Sequence, residues 1–367
     1  MSRVLFVASH RKDRAPGQRF RFEQYMAYLG ANGFESKLSY LVSERDDAIL
    51  YKPGHYLDKV GFTLRSRRIR AQDARRLDDF DIIFVQREAL MTRSTSFERR
   101  AAKSRAKLIF DFDDSIWLSN VSEANRFFRW MKNPEKTPTL IELADVVFAG
   151  NRYLADYATR FNTNVEIVPT TIDTDEYRCV ARPSGGEAAR GREAVCIGWS
   201  GSITTIQHFE LAIPFLRAIK HKYGHRVGFK VIGDENYRNE ELGIVGQAWS
   251  RASEVRELCA IDIGIMPLPD DEWARGKCGL KGLQYMALGI PTVMSPVGVN
   301  SEIVDDGRNG FLALDREGWV EKISRLIEDA ELRKALGVEA RRTVVERYSV
   351  LSQRDDYLAH FLALLNA

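Results

Sequence analysis

The chain has 367 residues, of which 44% are hydrophobic, and its formal net charge is +3. This length suits two domains, and the composition is that of a globular protein with sizeable cores, not of a disordered chain. No stretch reaches the ~18 apolar residues that a membrane helix needs, and the start of the chain lacks signal-peptide order. Four cysteines, Cys179, Cys196, Cys259 and Cys278, form no metal-binding spacing, so we expect isolated thiols in a reducing, cytoplasmic compartment.

Short apolar runs that each end in a polar turn fill the first part of the chain. Six such runs predict strands, at 3–9, 36–42, 80–88, 107–117, 144–151 and 164–173, and 21–33 predicts a helix stopped by a glycine. Strands that alternate with helices indicate a mostly parallel, doubly wound sheet. We therefore predict a Rossmann-like N-terminal domain over 1–178.

The composition changes at 179–194, where Gly, Ala and Arg replace the periodic apolar residues. This segment predicts a linker. A second strand series follows at 194–202, 228–235, 262–271, 291–298 and 310–314, with amphipathic helices at 206–224 and 278–289. It predicts a second Rossmann-like domain over 195–346. The remaining 347–367 predicts a C-terminal helix that returns to the first domain. The fold class is thus α/β, with two doubly wound domains facing across a cleft.

Positive charge is concentrated in the first part of the chain. Residues 1–170 carry 29 Lys and Arg against 22 Asp and Glu, and the basic residues cluster at 64–77 and 98–107. Such runs suit an anionic surface, although solvated helix faces have the same composition. Segment 125–136 mixes aromatic and basic residues, which fits an interfacial segment or core packing of its aromatic side chains equally well.

Polar clusters follow three strands of the first domain, at the edge where parallel sheets bind ligands. They comprise the loop with Gly17, Gln18 and Arg19, then Gln86, Arg87 and Glu88, and then Asp113 and Asp114. We predict that these clusters contact a ligand, and that Asp113 or Asp114 orients a ligand hydroxyl or accepts its proton. For Asp111, in the same run, a structural role as a helix cap or a partner for Arg87 fits as well as a functional one.

The stretch from 261 to 310 carries the most information about chemistry. Lys277 and Lys281 lie four residues apart at the predicted start of a helix, where the helix dipole disfavours cations. A bound anion resolves that conflict, because backbone N–H groups and both ammonium groups can face it. A diphosphate fits, and neighbouring glycines such as Gly279 allow its close approach. Two surface lysines on a solvated helix are the alternative.

The run LQYMALGIPTVMSPVGVNSEIVDDGRNGFLA (283–313) resembles the C-terminal signature of glycosyltransferase family 4, the retaining "glycosyl transferases group 1" with a GT-B fold. The resemblance covers most of 195–350, with GWSGSITTI and KVIGDE resembling earlier family segments. It implies donor-binding residues, which are Gly201, Ser202, Gly233, Asp234, Lys277, Cys278, Gly279, Lys281, Gln284, Gly298, Asn300 and Glu302. This chain departs from the family where GKCxxKxLQYMA replaces the usual pair of glutamates, and Gln284 stands at the second glutamate.

The resemblance implies a retaining glycosyltransferase that moves a sugar from a nucleotide-diphosphate donor to an acceptor hydroxyl in envelope polysaccharide or glycolipid synthesis. Lys277, Lys281, Asp113 and Asp114 are the predicted catalytic residues, with Asp113 or Asp114 at the reacting hydroxyl. The predicted acceptor-binding residues are Gly17, Gln18, Arg19, Gln86, Arg87 and Glu88. We expect no cofactor and no metal, a UDP- or GDP-sugar as donor, a glycan or lipid-linked acceptor, and no nucleic acid. The basic first domain suggests contact with the inner membrane face. The alternatives are a sugar-nucleotide epimerase and a weakly active glycan-binding or scaffolding relative.

Overall fold

The computed structural model describes residues 1–50, 52, 54–118, 133, 135–179 and 194–366. These residues form two compact units, one of Met1–Thr170 with Arg354–Ala367 and the other of Thr171–Gln353. The predicted linker at 179–194 lies outside the described residues except at its two ends, and so does most of segment 125–136.

The first unit is built on a parallel sheet of order β2-β1-β3-β4-β5-β6. Its strands are β1 Ser2–Val7, β2 Phe34–Ser39, β3 Ile82–Gln86, β4 Lys107–Phe112, β5 Val146–Ala149 and β6 Val165–Ile167. The central strands β3 and β5 are buried along their whole length. Such continuous apolar runs are what a sheet covered on both faces requires, and all six strands were predicted from the sequence.

Helices and aromatic packing complete the first unit. Its helices are α1 Pro16–Arg19, α2 Met26–Ala31, α3 Glu44–Leu50, α4 Tyr56–Asp73, α5 Ser96–Ala101, α6 Lys136–Leu143 and α7 Arg152–Ala158. The last helix of the chain, α16 Val350–Asn366, belongs to this unit from Arg354 onward. Its buried Tyr357 stacks on Tyr25 with ring centroids 4.1 Å apart, and Phe361 packs against Phe6 and Phe84.

The second unit has a parallel sheet of order β13-β12-β11-β7-β8. Its strands are β7 Val195–Ser200, β8 Val227–Ile232, β11 Ile263–Met266, β12 Thr292–Met294 and β13 Phe311–Leu312, beside an antiparallel ribbon of β9 Arg238–Asn239 and β10 Ile244–Val245. Its helices are α8 Ile206–Glu210, α9 Ile213–Tyr223, α10 Glu254–Leu258, α11 Glu272–Arg275, α12 Leu280–Ala287, α13 Asn300–Ile303, α14 Arg316–Glu328 and α15 Ala330–Arg347.

Each sheet reverses its winding direction once. In the first unit the chain passes from β1 out to β2 and then returns to β3 on the other side of β1. In the second it passes from β7 to β8 and returns to β11 on the other side of β7. Because parallel crossovers are right-handed, these reversals place helices on both faces of each sheet, and the predicted α/β doubly wound class is confirmed.

Candidate functional site

The ends of β7 and β11 mark the reversal point of the second sheet. The loops that follow these two adjacent strands run in opposite directions, and such a divergence opens a crevice at the carboxyl edge of the sheet. One loop, 201–205, leads into α8, and the other, 267–279, leads through α11 into α12. Most of the predicted donor-binding residues lie on these loops or beside them.

Lys277 lies three residues before α12, and Lys281 is the second residue of that helix. Lys277 Nζ lies 4.8 Å from the centre of the Trp273 ring, and Lys281 Nζ lies 4.8 Å from that of Trp199. Gly279 precedes the helix in the left-handed region, with φ of 69°, and provides no side-chain cap. The backbone N–H groups of the first turn and both cations therefore belong to one short segment of chain.

Close packing explains why residue 279 is a glycine. A Cβ atom there would lie 2.3 Å from Ile303 Cδ1, on α13, which is shorter than any contact that real Cβ atoms make. A Cβ on Gly298 would similarly lie 2.7 Å from the carbonyl oxygen of Arg275. The loop after β11 and the loop after β12 are thus pressed together, and this fixes the start of α12.

Asn300 is buried at the start of α13 and has an unsatisfied acceptor. Its Nδ2 donates to the carbonyl oxygen of Ser295 at 3.1 Å, whereas its Oδ1 has no hydrogen-bond partner among the described residues. Glu302, two residues further on, is exposed in the first turn of the same helix. A buried amide oxygen without a donor costs about 1–3 kcal/mol, so such an atom in a crevice is a candidate for ligand contact.

Sequence reasoning missed His208, on α8 beside the same crevice. Its side chain is buried, and Nδ1 has no hydrogen-bond partner among the residues that the structure describes. Burial lowers the pKa of His208 to about 4, with the positive charges of Lys281 and Lys277 acting in the same direction. In the sequence His208 falls within an amphipathic helix, where the pattern alone gives a core histidine as the simplest reading.

Gln284, at the position of the family's second glutamate, is buried one turn beyond Lys281. Its Nε2 donates to Tyr177 Oη and to Glu254 Oε1, both at 3.0 Å. Tyr177 Oη in turn donates to Glu254 Oε2 at 2.8 Å, and Trp249 Nε1 donates to Oε1 at 3.1 Å. A carboxylate is therefore present beside residue 284, but Glu254 contributes it from α10.

The other predicted donor-binding residues occupy the loops around the crevice. Gly201 and Gly233 are in contact, because a Cβ on Gly233 would lie 2.2 Å from the Gly201 carbonyl oxygen. Ser202 is exposed and bonds Thr205, Asp234 accepts from the Asn236 backbone N–H at 3.0 Å, and Cys278 is buried. The structure thus places Gly201 next to Gly233, while the ligand contacts of all these residues stay predictions.

The reversal point of the first sheet brings together four predicted residues. Arg87 Nε donates to Asp113 Oδ1 at 2.7 Å, and a Cβ on Gly17 would lie 3.0 Å from Asp113 Oδ2 and 3.4 Å from Gln86 Nε2. Arg87 has a φ of 61°, a conformation that costs a residue with a side chain of order 1 kcal/mol and is concentrated at functional sites. Residues 17, 86, 87 and 113 thus form one polar cluster.

The remaining predicted residues of the first unit have structural partners. Gln18 is buried, with its amide donating to the His10 carbonyl oxygen at 2.8 Å and accepting from the His10 N–H at 2.7 Å. Arg19 is buried beside the Phe20 ring, and Glu88 pairs with Lys136 at 2.5 Å. Asp114 Oδ1 accepts from the Ser115 N–H at 3.1 Å.

Asp111 is a partner of Arg87, whose backbone N–H donates to the Asp111 carbonyl oxygen at 2.7 Å, but the main partner of its side chain is a residue that the sequence did not suggest. Its carboxylate is buried and pairs with buried Arg21, whose Nε lies 3.1 Å from Oδ1. Burial raises the pKa of the Asp111 carboxyl, and Arg21 opposes that shift. The pair ties the loop after β1 to β4, beneath the polar cluster.

The expectation of four isolated thiols is wrong. Cys179 and Cys259 form a disulfide within the second unit, whereas Cys196 and Cys278 are free. The bond joins the segment after Tyr177 to the residue that follows α10, so it flanks the network of Glu254 and Gln284. The two cysteines are 80 positions apart in the sequence. Their spacing could not reveal the pairing, because contact over that separation depends on how the chain folds.

Among the described residues, no three His, Cys, Asp or Glu side chains are grouped as metal ligands would be. Nor do the described helices include one that is long and apolar enough to cross a membrane.

Residues 194–329 match the family "Glycosyl transferases group 1". This match confirms the resemblance to glycosyltransferase family 4 over that segment of the chain. The two doubly wound units agree with the GT-B fold that the resemblance implies. The replacement of the glutamate motif stays a prediction.

Solved structures share the whole fold at low sequence identity. Sucrose-phosphate synthase from Thermosynechococcus elongatus has a TM-score of 0.70 at 14% identity, and the alignment covers 100% of both chains. Anabaena Alr3699/HepE, solved with UDP and glucose, has a TM-score of 0.67 at 14% identity over 99% of this chain and 100% of that one. Trehalose-6-phosphate synthase OtsA has a TM-score of 0.62 at 14% identity over 100% and 99%.

A curated relative matches only a short stretch. Spore coat protein SA of Bacillus subtilis (strain 168) is 37% identical over 62 residues, which is 16% of this chain and 16% of that protein. The match therefore supports family membership of a segment and does not carry the relative's role to this chain.

Proposed function

We propose that this protein is a retaining glycosyltransferase that transfers a sugar from a nucleotide-diphosphate donor to an acceptor hydroxyl. The observation that carries the proposal is the position of Lys277 and Lys281 at the start of α12, on the segment that leaves β11 at the reversal point and inside the family-matched region. Two cations at the positive end of a helix dipole are unfavourable alone, and a diphosphate turns both into stabilising partners.

Catalysis in this proposal is mainly electrostatic. As the bond from the sugar to the diphosphate breaks, negative charge grows on the leaving oxygens. Lys277, Lys281 and the first N–H groups of α12 stabilise that charge without having to reorganise. The donor sugar lies toward Asn300 and Glu302, where the unsatisfied Asn300 Oδ1 accepts from a sugar hydroxyl. Chemistry of this kind requires no resident metal or cofactor.

In this proposal, residues of the first unit bind the acceptor. Asp113, held by Arg87 and lying against Gly17, is the candidate contact for the attacking hydroxyl. The ion pair with Arg87 orients this carboxylate, which suits either a hydrogen bond to the hydroxyl or acceptance of its proton. Asp114 and Gln86 are the further candidates beside it.

A UDP-sugar is the preferred donor, with a GDP-sugar as the alternative. Support comes from structural relatives: Anabaena Alr3699/HepE was solved with UDP-glucose, and TarM with UDP and alpha-GlcNAc-glycerol. The acceptor in this proposal is a glycan or lipid-linked glycan of the cell envelope. A glycerol-linked sugar in TarM and the short match to a spore coat protein are in keeping with that class.

The test is to incubate the protein with UDP- and GDP-sugars, with and without a lipid extract as acceptor, and to measure nucleoside diphosphate release. Release that increases with the extract supports transfer, and NMR of the product should show the anomeric configuration of the donor. Conversion of the donor to an isomer without release would identify an epimerase. Absence of turnover with every donor and acceptor would contradict the proposal.

We also propose that the first unit docks on an anionic membrane surface through α4. This helix exposes Leu57 at 89%, Val60 at 49% and Leu64 at 59% of their surfaces, at helical spacing. Exposed Arg67 and Arg68 follow on the same helix. Apolar side chains next to arginines are the composition of an interfacial helix that inserts into anionic lipid headgroups.

A further inference from the structure

His208 is a buried polar side chain that the proposed mechanism leaves unused. It is 5% exposed, and its Nδ1 has no hydrogen-bond partner among the described residues. An unsatisfied buried donor or acceptor costs about 1–3 kcal/mol, and native proteins carry few of them. Phe or Leu would fill the same space in the middle of α8 without that cost.

The position of His208 explains why an imidazole is present. α8 follows the loop that leaves β7, and α12 follows the segment that leaves β11, so His208 and the start of α12 come from the two chain segments that diverge at the reversal point. The charged groups that act on its imidazole are Lys281, Lys277 and Asp271, and all three come from the segment after β11. The unsatisfied nitrogen and the two lysines thus share one environment.

We propose that His208 is a third residue of the diphosphate site, which takes a proton from solvent as the donor binds and donates from Nδ1 to a diphosphate oxygen. The proposal rests on the proposed function, because it needs a diphosphate between the two lysines. It adds a binding residue that is charged only in the complex.

The predicted pH dependence of donor binding follows from the charges around His208 without and with the diphosphate. Without ligand, burial and the two lysines hold the pKa of His208 at about 4, so the imidazole is neutral near pH 7. A diphosphate brings negative charge to the lysines and to the imidazole, which removes the repulsion and favours the protonated form. Since the complex then binds more protons than the free protein, donor affinity must rise as pH falls toward 6.

The experiment is calorimetric titration of the full chain with UDP-glucose and with GDP-mannose at pH 6, 7 and 8. Both probes keep a constant diphosphate charge over this range, so their own titration does not contribute. We expect wild type to bind its preferred probe roughly three- to tenfold more tightly at pH 6 than at pH 8, since one proton contributes at most about tenfold per pH unit. Buffers of different ionisation enthalpy should show uptake of up to one proton.

His208→Gln and His208→Phe are the test variants, and His225→Gln, which alters an exposed histidine of the same unit, is the matched control. We expect the control to behave as wild type, and both test variants to bind weakly with a flat pH response. Thermal unfolding shows whether each test variant folds. If one of the two does not fold, the binding data of the other variant test the proposal. If a folded His208 variant keeps the wild-type affinity and slope, the His208 proposal is overturned and the proposed function stands. If wild type binds neither probe, both are overturned.

Discussion

At the scale of single residues, the proposed chemistry depends on two lysines placed where a helix dipole alone would not favour them. Lys277 and Lys281 lie over the rings of Trp273 and Trp199, whose π faces attract the two ammonium groups. A diphosphate at the start of α12 would attract both cations far more strongly than a neutral ring does. We therefore expect the lysines to contribute more to ligand binding than to folding.

Replacing Lys277 and Lys281 together with Ala should abolish measurable sugar transfer. Loss of one preorganised charge contact typically lowers turnover by about 10²–10³, and two are removed here. The thermal midpoint should change little, because neither lysine is buried. Lys334→Ala is the control. It alters an exposed lysine on α15 and should retain full activity. Transfer at the wild-type rate by the double variant would refute the diphosphate assignment.

The glutamine at position 284 is explained by Glu254. Gln284→Glu would place a second carboxylate 3.0 Å from Glu254, and two such groups cannot both be ionised. We expect the variant to lose about 1–3 kcal/mol of unfolding free energy at pH 8 and less at pH 5. Urea unfolding at the two pH values measures this.

The exchanged pair, Glu254→Gln with Gln284→Glu, serves as the control for that prediction. It restores one carboxylate and one amide in contact, so it should recover most of the lost stability. Equal stability of the single variant and wild type at pH 8 would show that Gln284 and Glu254 are not coupled as the hydrogen bonds indicate.

Residues on one helix or one loop could be predicted from the sequence, whereas partners distant along the chain could not. Lys277, Lys281 and Gly279 are neighbours in sequence, so their common location followed from local pattern alone. Glu254 lies 30 positions from Gln284, and its role depends on how α10 packs. His208 has no local motif, and only the packing around its Nδ1 distinguishes it from an ordinary core histidine.

At the scale of elements, strands of the two main sheets were predicted well because each is a short apolar run ending in a polar turn. The ribbon β9–β10 was missed, since its strands of two residues carry no periodic signal. The predicted helix at 206–224 is divided into α8 and α9, and Pro214 lies in the first turn of α9. Proline suits that position because the N–H it lacks has no helical partner there.

Reduction of the disulfide Cys179–Cys259 should destabilise the second unit. The bond closes a loop of 80 residues, and loops of that size typically contribute roughly 2–4 kcal/mol. We expect a lower unfolding midpoint in dithiothreitol, and no such change on reduction of Cys179→Ser. In denatured, unreduced protein, alkylation should label only Cys196 and Cys278. Labelling of all four cysteines would contradict the pairing.

The apolar stripe of α4 should control membrane binding. Leu57→Glu with Leu64→Glu places negative charge on the most exposed leucines of the helix and should remove sedimentation with vesicles rich in phosphatidylglycerol. Neutral phosphatidylcholine vesicles should bind poorly in every case. The control Val338→Glu alters an equally exposed apolar residue on α15 and should sediment as wild type does. Unchanged sedimentation of the α4 variant would refute this docking surface.

At the scale of the whole molecule, the class of fold could be predicted because two series of strand and helix patterns follow one another along the chain. The reversal point of each sheet could not be read from the sequence, since strand order depends on which edges pair. That order brings β7 beside β11 and β1 beside β3, and so collects residues from separate loops. The charge excess of 1–170 was visible in the composition, but the apolar stripe beside it required the structure.

The most direct test of the central claim is a thermal-shift screen against UDP-, GDP-, ADP-, CMP- and dTDP-sugars, with and without Mg²⁺. A ligand at 100 times its Kd stabilises the folded protein by about 2.7 kcal/mol, which is readily seen as a higher midpoint. We predict a clear shift with a UDP- or GDP-sugar that is independent of Mg²⁺ and absent in the double variant of Lys277 and Lys281. No shift with any nucleotide sugar, or an equal shift in that variant, would contradict the account.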